Sequence, residues 1–89
     1  MIQRELTIIN KLGLHARAAT KLAQTSGRFA STIRCGHSGK MVDAKSVMAV
    51  MLLAASKGTT LNFEIEGGDE QEAADSISEL IGDYFGEGQ

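Results

Sequence analysis

The sequence predicts an α+β fold, an open-faced β-sandwich in which three helices cover one face of a four-stranded sheet. Four short segments alternate apolar and polar residues with a period of two, which is typical of strands buried on one face only. Three further segments repeat apolar residues at helical spacing, and turn residues separate the segments. The predicted order is β-α-β-β-α-β-α in a single domain, residues 1–89. Periodicity leaves the strand order open, and a split ferredoxin-like arrangement shares most of this element order.

The first strand and the first helix are predicted in the opening third of the chain. Residues 2–9 alternate over most of their length, and Arg4 breaks the pattern. A loop ending at Gly13 leads into a helix over 16–26, and Gly27 ends that helix. The apolar residues at helical spacing in this segment are Ala16, Ala19, Leu22 and Ala23.

A β-hairpin is predicted to follow the first helix. Residues 31–37 alternate, with Cys35 on the buried face as a small hydrophobic side chain. Residues 38–39, Ser-Gly, are typical of a tight turn, and they lead into a short strand over 40–43.

A second helix and a fourth strand are predicted next. Ser46 can cap a helix that is predicted to run through Ala55, with Gly58 just past its end. Residues 59–66 alternate again, which predicts the last strand of the sheet.

The third helix follows a Gly-Gly turn. Asp69 and Glu72 have the spacing of a capping box, which predicts the start of a helix. The apolar stripe of this helix comprises Ala73, Ile77, Leu80, Ile81 and Tyr84. Its acidic surface is expected to face solvent, and the tail, residues 86–89, is expected to be frayed.

Composition excludes several classes of protein. The chain is 43% hydrophobic and 22% charged, which lies in the globular range and excludes a disordered chain. Its longest apolar run has nine residues, 47–55, whereas a membrane-spanning helix needs roughly 20. The N-terminus shows no secretory signal, and the single Cys35 cannot form an internal disulfide. We therefore expect a cytoplasmic protein.

The charge is divided between the two halves of the chain. Residues 1–45 hold eight basic and two acidic side chains, a net charge of +6, whereas residues 46–89 hold one basic and nine acidic ones, a net charge of −8. A basic half can face nucleic acid, an acidic protein surface or a phosphoryl group. Because Phe29 is the only aromatic residue in that half, a platform for stacking bases is disfavoured. A ferredoxin-like module that binds nucleic acid through this basic half is one functional alternative for the chain.

The most informative segment surrounds His15. This histidine stands where a loop meets a helix, and Arg17 follows two residues later. Free amide groups at a helix start disfavour imidazolium and bind anions, so we expect a neutral, nucleophilic imidazole beside a site for phosphoryl oxygens. Gly13 allows close approach of the backbone, and the small Ala16 and Ala18 leave the ring open to a partner. The alternative is an ordinary surface histidine.

Residues 13–17, Gly-Leu-His-Ala-Arg, resemble the active-site motif of the HPr family, the histidine-containing phosphocarriers of the bacterial phosphotransferase system. Family-like spacings also occur over residues 10–17, 45–48, 54–58 and 67–70, so the resemblance spans essentially the whole chain. It implies an open-faced β-sandwich of four antiparallel strands with three helices on one face.

The resemblance also implies roles for residues. Enzyme I would phosphorylate His15 on Nδ1 with phosphoenolpyruvate as the source, and IIA-type domains would receive the phosphoryl group. Arg17 would steady that group together with the backbone amides of Ala16 and Arg17. Such a protein is a carrier in a relay, with no cofactor or metal, and is not a stand-alone enzyme. Ala18 departs from the usual Pro of the family, so we expect a softer helix start and retained transfer.

Ser46 is a second candidate site. A hydroxyl at a helix N-terminus is a good cap and also a position where phosphate is stabilised, so a purely capping role is the alternative. Residues 45–48 resemble the regulatory serine region of members that an HPr kinase phosphorylates, and Ala49 replaces a common Gly. The second functional hypothesis is accordingly a regulatory HPr paralogue, nitrogen-related or kinase-controlled, without sugar transport.

An exposed apolar surface is predicted beside the His15 loop. Val47, Met48 and Met51 would form it, although the methionines could instead fill gaps in the core. In the family this surface docks enzyme I and IIA proteins. The basic residues expected to surround it are Arg17, Lys21, Lys45 and Arg28, and Thr20 is a further expected contact. We expect a monomer that binds neither nucleic acid nor membrane.

Other candidate sites have little support in the sequence. Cys35 and His37 lack the short spacings of a zinc site. Residues 67–68, Gly-Gly, lack the Lys and Ser or Thr of a Walker phosphate loop.

Overall fold

The computed structural model describes residues 1–89. The strands are β1 (Ile2–Thr7), β2 (Thr32–His37), β3 (Lys40–Asp43) and β4 (Thr60–Glu66). The helices are α1 (Ala16–Gly27), α2 (Val47–Leu52) and α3 (Glu70–Gly82), and a single 3₁₀ turn, Tyr84–Gly86, follows α3. The predicted order of strands and helices is confirmed, with this last turn added.

All four strands form one antiparallel sheet in the order β1-β4-β2-β3. The register aligns apolar residues across the sheet: Ile65 of β4 lies opposite both Ile2 and Ile33, and Phe63 lies opposite Cys35. Such cross-strand rows place every apolar side chain of a row on the same face. The sheet therefore has one apolar face, and the strand order that periodicity left open is settled.

The helices cover that apolar face. Nineteen buried hydrophobic residues form one cluster, with contributions from the sheet, from α1 to α3 and from Phe85 after α3. The opposite face carries exposed polar side chains such as Gln3, Thr32 and Asn62, as expected for an antiparallel sheet with one wet face. The predicted open-faced β-sandwich is confirmed. None of the helices has the length and apolar character that a bilayer crossing requires.

Arg4 departs from the strand pattern because it has partners at the rim of the helical layer. It occupies the same face as Ile2 and Leu6, and its Nη1 donates to Ser78 Oγ of α3 at 3.1 Å. The same nitrogen lies 3.6 Å from the Asp75 carboxylate. The long side chain thus reaches past the core to a polar neighbour.

Helix α1 matches its predicted span but not every predicted contact. Ala19, Leu22 and Ala23 are buried as expected, whereas Ala16 is exposed and Ala18 is buried in its place. The first turn of α1 therefore presents Ala16 to solvent.

Helix α2 is shorter than predicted, because it ends at Leu52 rather than at Ala55. Ala54 adopts a left-handed conformation, φ 50°, which stops the helix. Beyond it, the Ala55 carbonyl accepts from the Leu14 amide at 2.8 Å, and the Gly58 amide donates to the Ile8 carbonyl at 2.7 Å. These non-local hydrogen bonds fix residues 55–58 against the start of the chain, outside a helix.

Asp69 is the N-cap residue of α3, as the spacing predicts, but its side chain makes none of the hydrogen bonds of a capping box. Its carboxylate instead accepts from the amides of Ala30 and Ser31, at 2.8 and 2.9 Å, and from the Ser31 hydroxyl at 2.5 Å. At the turn itself, the Glu70 side chain accepts from the Gly67 amide at 3.2 Å. Asp69 thereby joins the start of α3 to the segment before β2.

The chain after α3, residues 84–89, is called the tail from here on; it packs against the fold through Phe85 and Glu87, contrary to the expectation that its last four residues are frayed. Tyr84 lies outside the apolar stripe of α3 and is exposed, while Phe85 is fully buried. Both residues have positive φ, 57° and 54°, which turns the chain sharply after α3. The Lys21 ammonium donates to the Phe85 carbonyl at 2.6 Å and holds the turn against α1.

Candidate functional site

The loop before α1 is fixed on the segment that follows α2. Gly13 has a φ of +67°, and a Cβ at this position would lie 2.6 Å from the Ala55 carbonyl oxygen and 2.8 Å from Ser56 Cα. Only glycine fits without a shift of backbone. The close approach that Gly13 permits is therefore made to residues 55–56, and it sets the position of the neighbouring His15.

His15 is the N-cap residue of α1. Its backbone is extended, with φ −74° and ψ 177°, and its carbonyl accepts from the Ala19 amide at 2.8 Å. The side chain makes no capping hydrogen bond and is 29% exposed. The first amides of α1, at Ala16 and Arg17, have no intrahelical acceptors and are available to an anion beside the imidazole.

A shallow cleft surrounds His15, and three basic residues line it. Lys11 and Arg17 are exposed, whereas Lys21 is half-buried through its bond to the tail. Arg17 takes part in no ion pair. Its guanidinium is thus free to bind a planar oxyanion with several N–H donors.

Glu87 closes one side of this cleft, and sequence reasoning missed it. Its Oε2 is hydrogen-bonded to His15 Nε2, and its Oε1 accepts from Asn10 Nδ2 at 2.9 Å. The Glu87 side chain is only 12% exposed. The one signal in the sequence is a lone acid between Gly86 and Gly88, both of which adopt positive φ.

The Glu87 carboxyl is held in its ionised form. Burial raises the pKa of this group, but hydrogen bonds from Asn10 and His15 and the charge of Lys21 lower it, so that the pKa lies below its usual range. Asn10 is fully buried and also donates to the Gly13 carbonyl at 2.8 Å. The same amide group therefore supports both the tail and the His15 loop.

Ser46 is the N-cap of α2, as the sequence predicts. Its Oγ accepts from the Ala49 amide at 3.2 Å, and its own amide donates to the Asp43 carbonyl at 3.1 Å. The side chain is half-buried. The hydroxyl is thus already used in capping the helix.

The methionines of α2 do not fill the core. Met48 is 72% exposed, and Met51 and Leu52 are exposed beside it. Val47 is half-buried and packs against the core, and the fully buried residue of the helix is Val50. We call Met48, Met51 and Leu52 the α2 apolar surface; its C-terminal end runs into the segment on which the His15 loop is fixed.

The four predicted basic residues do not form one ring. Lys45 donates to the Phe29 carbonyl at 2.7 Å, beyond the C-terminal end of α1, and Arg28 also follows that end. Of the four, only Arg17 and Lys21 lie at the His15 cleft. Thr20 is half-buried, and its hydroxyl donates to the Ala16 carbonyl at 2.8 Å within α1.

Cys35 and His37 lie apart from this site. Cys35 is fully buried, and burial, with a smaller contribution from the Asp43 charge, raises the pKa of its thiol to about 12. His37 Nε2 donates to the Leu53 carbonyl at 2.9 Å. No group of three His, Cys, Asp or Glu side chains is placed to hold a metal ion.

Comparison with known proteins identifies the family. Residues 2–83 match the family described as "PTS HPr component phosphorylation site". The phosphocarrier protein HPr of Cupriavidus necator is 55% identical over 89 residues, which cover 100% of both chains. The fold superimposes on the crystal structure of an HPr from Thermoanaerobacter tengcongensis with a TM-score of 0.94, at 41% identity and 98% coverage of both chains.

A regulatory protein also shares the fold. The catabolite repression protein Crh of Bacillus subtilis, a swapped dimer in its crystal structure, matches with a TM-score of 0.75 at 37% identity, covering 94% of this chain and 97% of that chain. The family match and the identity over the full length of relatives fit the histidine, arginine and free helix amides found at the start of α1. The chain therefore belongs to the HPr family, and it is a phosphocarrier of the phosphotransferase system rather than a stand-alone enzyme.

Proposed function

We propose that the chain accepts a phosphoryl group on His15 from enzyme I, with phosphoenolpyruvate as the original source, and passes it to IIA-type domains. One observation carries the proposal: His15 presents an imidazole whose Nδ1 makes no hydrogen bond, beside free helix amides and an unpaired Arg17. A nucleophile, an anion site and a bidentate donor meet at one place on the surface.

The proposed chemistry is a nucleophilic relay. The Nδ1 lone pair attacks phosphorus in line as the bond between phosphorus and the donor atom of phosphorylated enzyme I breaks, and a phosphoramidate forms on His15. Its oxygens are stabilised by the amides of Ala16 and Arg17 and by the Arg17 guanidinium. A histidine of the receiving domain then attacks the same phosphorus, and the imidazole leaves.

Partner docking is assigned to the α2 apolar surface and its surroundings. Val47, Met48 and Met51 supply adaptable apolar contacts, and the half-buried Thr20 and Lys21 of α1 are assigned to the same docking face. Lys45 contributes at the far end of α1 if the partner spans its length. Basic side chains on this face speed encounter with acidic partners more than they increase affinity.

A second candidate function is regulation through Ser46. Similarity to the catabolite repression protein Crh favours it, and so does the position of the hydroxyl at the start of α2. A phosphoryl group there would add negative charge directly at the docking face and weaken binding to acidic partners. An HPr kinase with ATP is the reagent that tests this candidate.

The test of the carrier function compares the two histidines of the chain. Wild-type protein, His15→Ala and the control His37→Ala are incubated with enzyme I and phosphoenolpyruvate, and phosphoryl incorporation is followed by intact mass. We expect wild type and His37→Ala to gain one phosphoryl group and His15→Ala to gain none, with its fold retained. Incorporation into His15→Ala would overturn the proposal.

A further inference from the structure

We propose that Glu87 is a positioning residue for His15: its carboxylate holds the imidazole in the tautomer with a protonated Nε2 and leaves the Nδ1 lone pair free to attack. This inference rests on the proposed function and assigns a role to a residue outside the family-like motif. It also explains why the tail is folded back over α1.

The contact between Glu87 and His15 belongs to a built site rather than to a loose tail. Asn10, which is fully buried, anchors Glu87 Oε1 from below, while the Glu87 side chain is itself almost excluded from solvent. Phe85 is inserted in the core, and Lys21 binds its carbonyl. Anchors on both sides of the tail therefore hold the carboxylate at the ring.

The backbone of the tail adopts an unfavourable conformation to reach this position. Tyr84 and Phe85 both have left-handed φ values, and Gly86 and Gly88 follow with φ of 76° and 80°. Left-handed conformations at non-glycine residues cost free energy and persist only where other contacts determine them. Contacts at Phe85 and Glu87 are the ones that do so here.

The choice of tautomer follows from the chemistry of the carboxylate. An ionised carboxyl group can only accept hydrogen bonds, so His15 Nε2, its partner, must be the donor. In a neutral imidazole the other nitrogen then carries the lone pair. The opposite tautomer would direct the Nε2 lone pair at the carboxylate, which is repulsive.

The same contact serves both directions of phosphoryl transfer. When Nδ1 bonds to phosphorus, the ring becomes cationic with its proton still on Nε2, and the Glu87 charge lies beside it. When the phosphoryl group departs, the electron pair of the breaking bond returns to Nδ1 and a neutral imidazole leaves. No proton has to move in either step, and Nε2 remains protonated throughout.

The tautomer can be measured directly without any partner protein. In protein labelled with ¹⁵N at histidine, nitrogen resonances at a pH where the ring is neutral distinguish protonated from unprotonated Nδ1 and Nε2. We expect wild type to show protonated Nε2, and Glu87→Ala to show a mixture of tautomers. Glu87→Gln, whose amide oxygen can still accept, should retain the wild-type tautomer. Glu79→Ala removes an exposed acid on α3 and is the matched control.

The kinetic consequence is measured as phosphoryl acceptance from enzyme I. We expect Glu87→Ala to lower kcat roughly tenfold with little change in KM, Glu87→Gln to recover most of the rate, and Glu79→Ala to match wild type. Melting temperatures of all variants separate this effect from loss of folded protein. If Glu87→Ala fails to fold, the tautomer of the wild type carries the test, because protonated Nδ1 there would overturn the role of Glu87.

The outcomes separate this inference from the carrier function. Protonated Nδ1 in the wild type, or unchanged tautomer and kcat in Glu87→Ala, would overturn the role of Glu87 while leaving His15 as the acceptor. A wild-type protein that accepts no phosphoryl group would overturn the carrier function and, with it, the catalytic part of the inference.

Discussion

His15, Gly13 and Glu87 show how single residues make the site. The imidazole owes its position to a glycine that packs against another segment, and its orientation to a carboxylate far away in sequence. Neither contact involves the α1 turn that supplies the anion-binding amides. The reactive side chain is therefore placed by tertiary contacts, whereas the partial positive charge that attracts a phosphoryl group comes from the N-terminus of α1 itself.

Gly13 carries the first prediction at this scale. Gly13→Ala combines a left-handed φ with a Cβ placed 2.6 Å from a carbonyl oxygen. We expect a loss of about 3 kcal/mol in the free energy of unfolding, and a fall in Tm of about 10 °C or more. Phosphoryl acceptance should fall as well, because the loop that carries His15 must move.

Gly27→Ala is the matched control for that prediction. A Cβ at Gly27 meets nothing within 4 Å, and the residue ends α1 in an ordinary conformation. We expect it to leave stability unchanged or to raise it by up to about 1 kcal/mol. Equal stability of the two variants in urea unfolding would contradict our account of the His15 loop.

At the scale of helices and strands, local sequence patterns do not fully determine where helices end or how they are capped. Helix α2 is apolar enough to continue, yet Ala54 adopts a left-handed conformation, and the next residues bond to distant segments, Ala55 to Leu14 and Gly58 to Ile8. The Asp69 carboxylate likewise binds the segment before β2 instead of the first amides of α3. In both cases, hydrogen bonds to distant segments accompany a departure from what the local sequence pattern predicts.

Asp69 gives a prediction for the joint between α3 and β2. Hydrogen bonds from the Ser31 hydroxyl and the Ala30 amide hold the pKa of its carboxyl below the usual value of 3.8. The stability it contributes is therefore fully present above that pH and is lost as pH falls through the lower folded value. We expect Asp69→Asn to be less stable than wild type at neutral pH, and the two urea midpoints to converge below pH 3.8.

Glu72→Gln is the control for this pH dependence. Glu72 is exposed in the first turn of α3 and makes no side-chain hydrogen bond. The urea midpoints of the Glu72→Gln variant should differ from those of wild type by the same amount at every pH. If the same held for Asp69→Asn, Asp69 would not be the acid-sensitive link between these elements.

The α2 apolar surface gives the second prediction at this scale. Met48→Asp places a charge in an exposed apolar contact, and we expect kcat/KM for phosphoryl acceptance from enzyme I to fall about tenfold. The Tm should not change, because Met48 is 72% exposed. Asn62→Asp, which adds the same charge on the open face of the sheet, should transfer normally. Equal transfer rates in the two variants would place the docking face elsewhere.

For the molecule as a whole, the basic and acidic halves of the chain contribute different parts of the His15 site. The basic half supplies α1 and the cations at the His15 cleft, and the acidic half supplies α3 and the tail. The two halves meet at His15, where Lys21 binds the Phe85 carbonyl and Glu87 binds the imidazole. The C-terminal residues are thus part of the site.

Local patterns predicted the fold well, because alternation and helical spacing report which side of an element is buried. The same patterns placed His15 and Arg17 at the start of α1 and Ser46 at the cap of α2. Glu87 could not be predicted in this way, since its contacts with Asn10 and His15 join the two ends of the chain. Lys45 was predicted beside the His15 loop but binds the Phe29 carbonyl instead, because its position depends on how α1 and α2 pack.

The most direct test of the central claim is to determine where the phosphoryl group sits after wild-type protein is incubated with enzyme I and phosphoenolpyruvate. Intact mass, acid treatment and site mapping together identify the modified residue and the chemistry of its bond. Our account predicts a single acid-labile phosphoryl group on His15. An unchanged mass, or an acid-stable group on Ser46 alone, would contradict it.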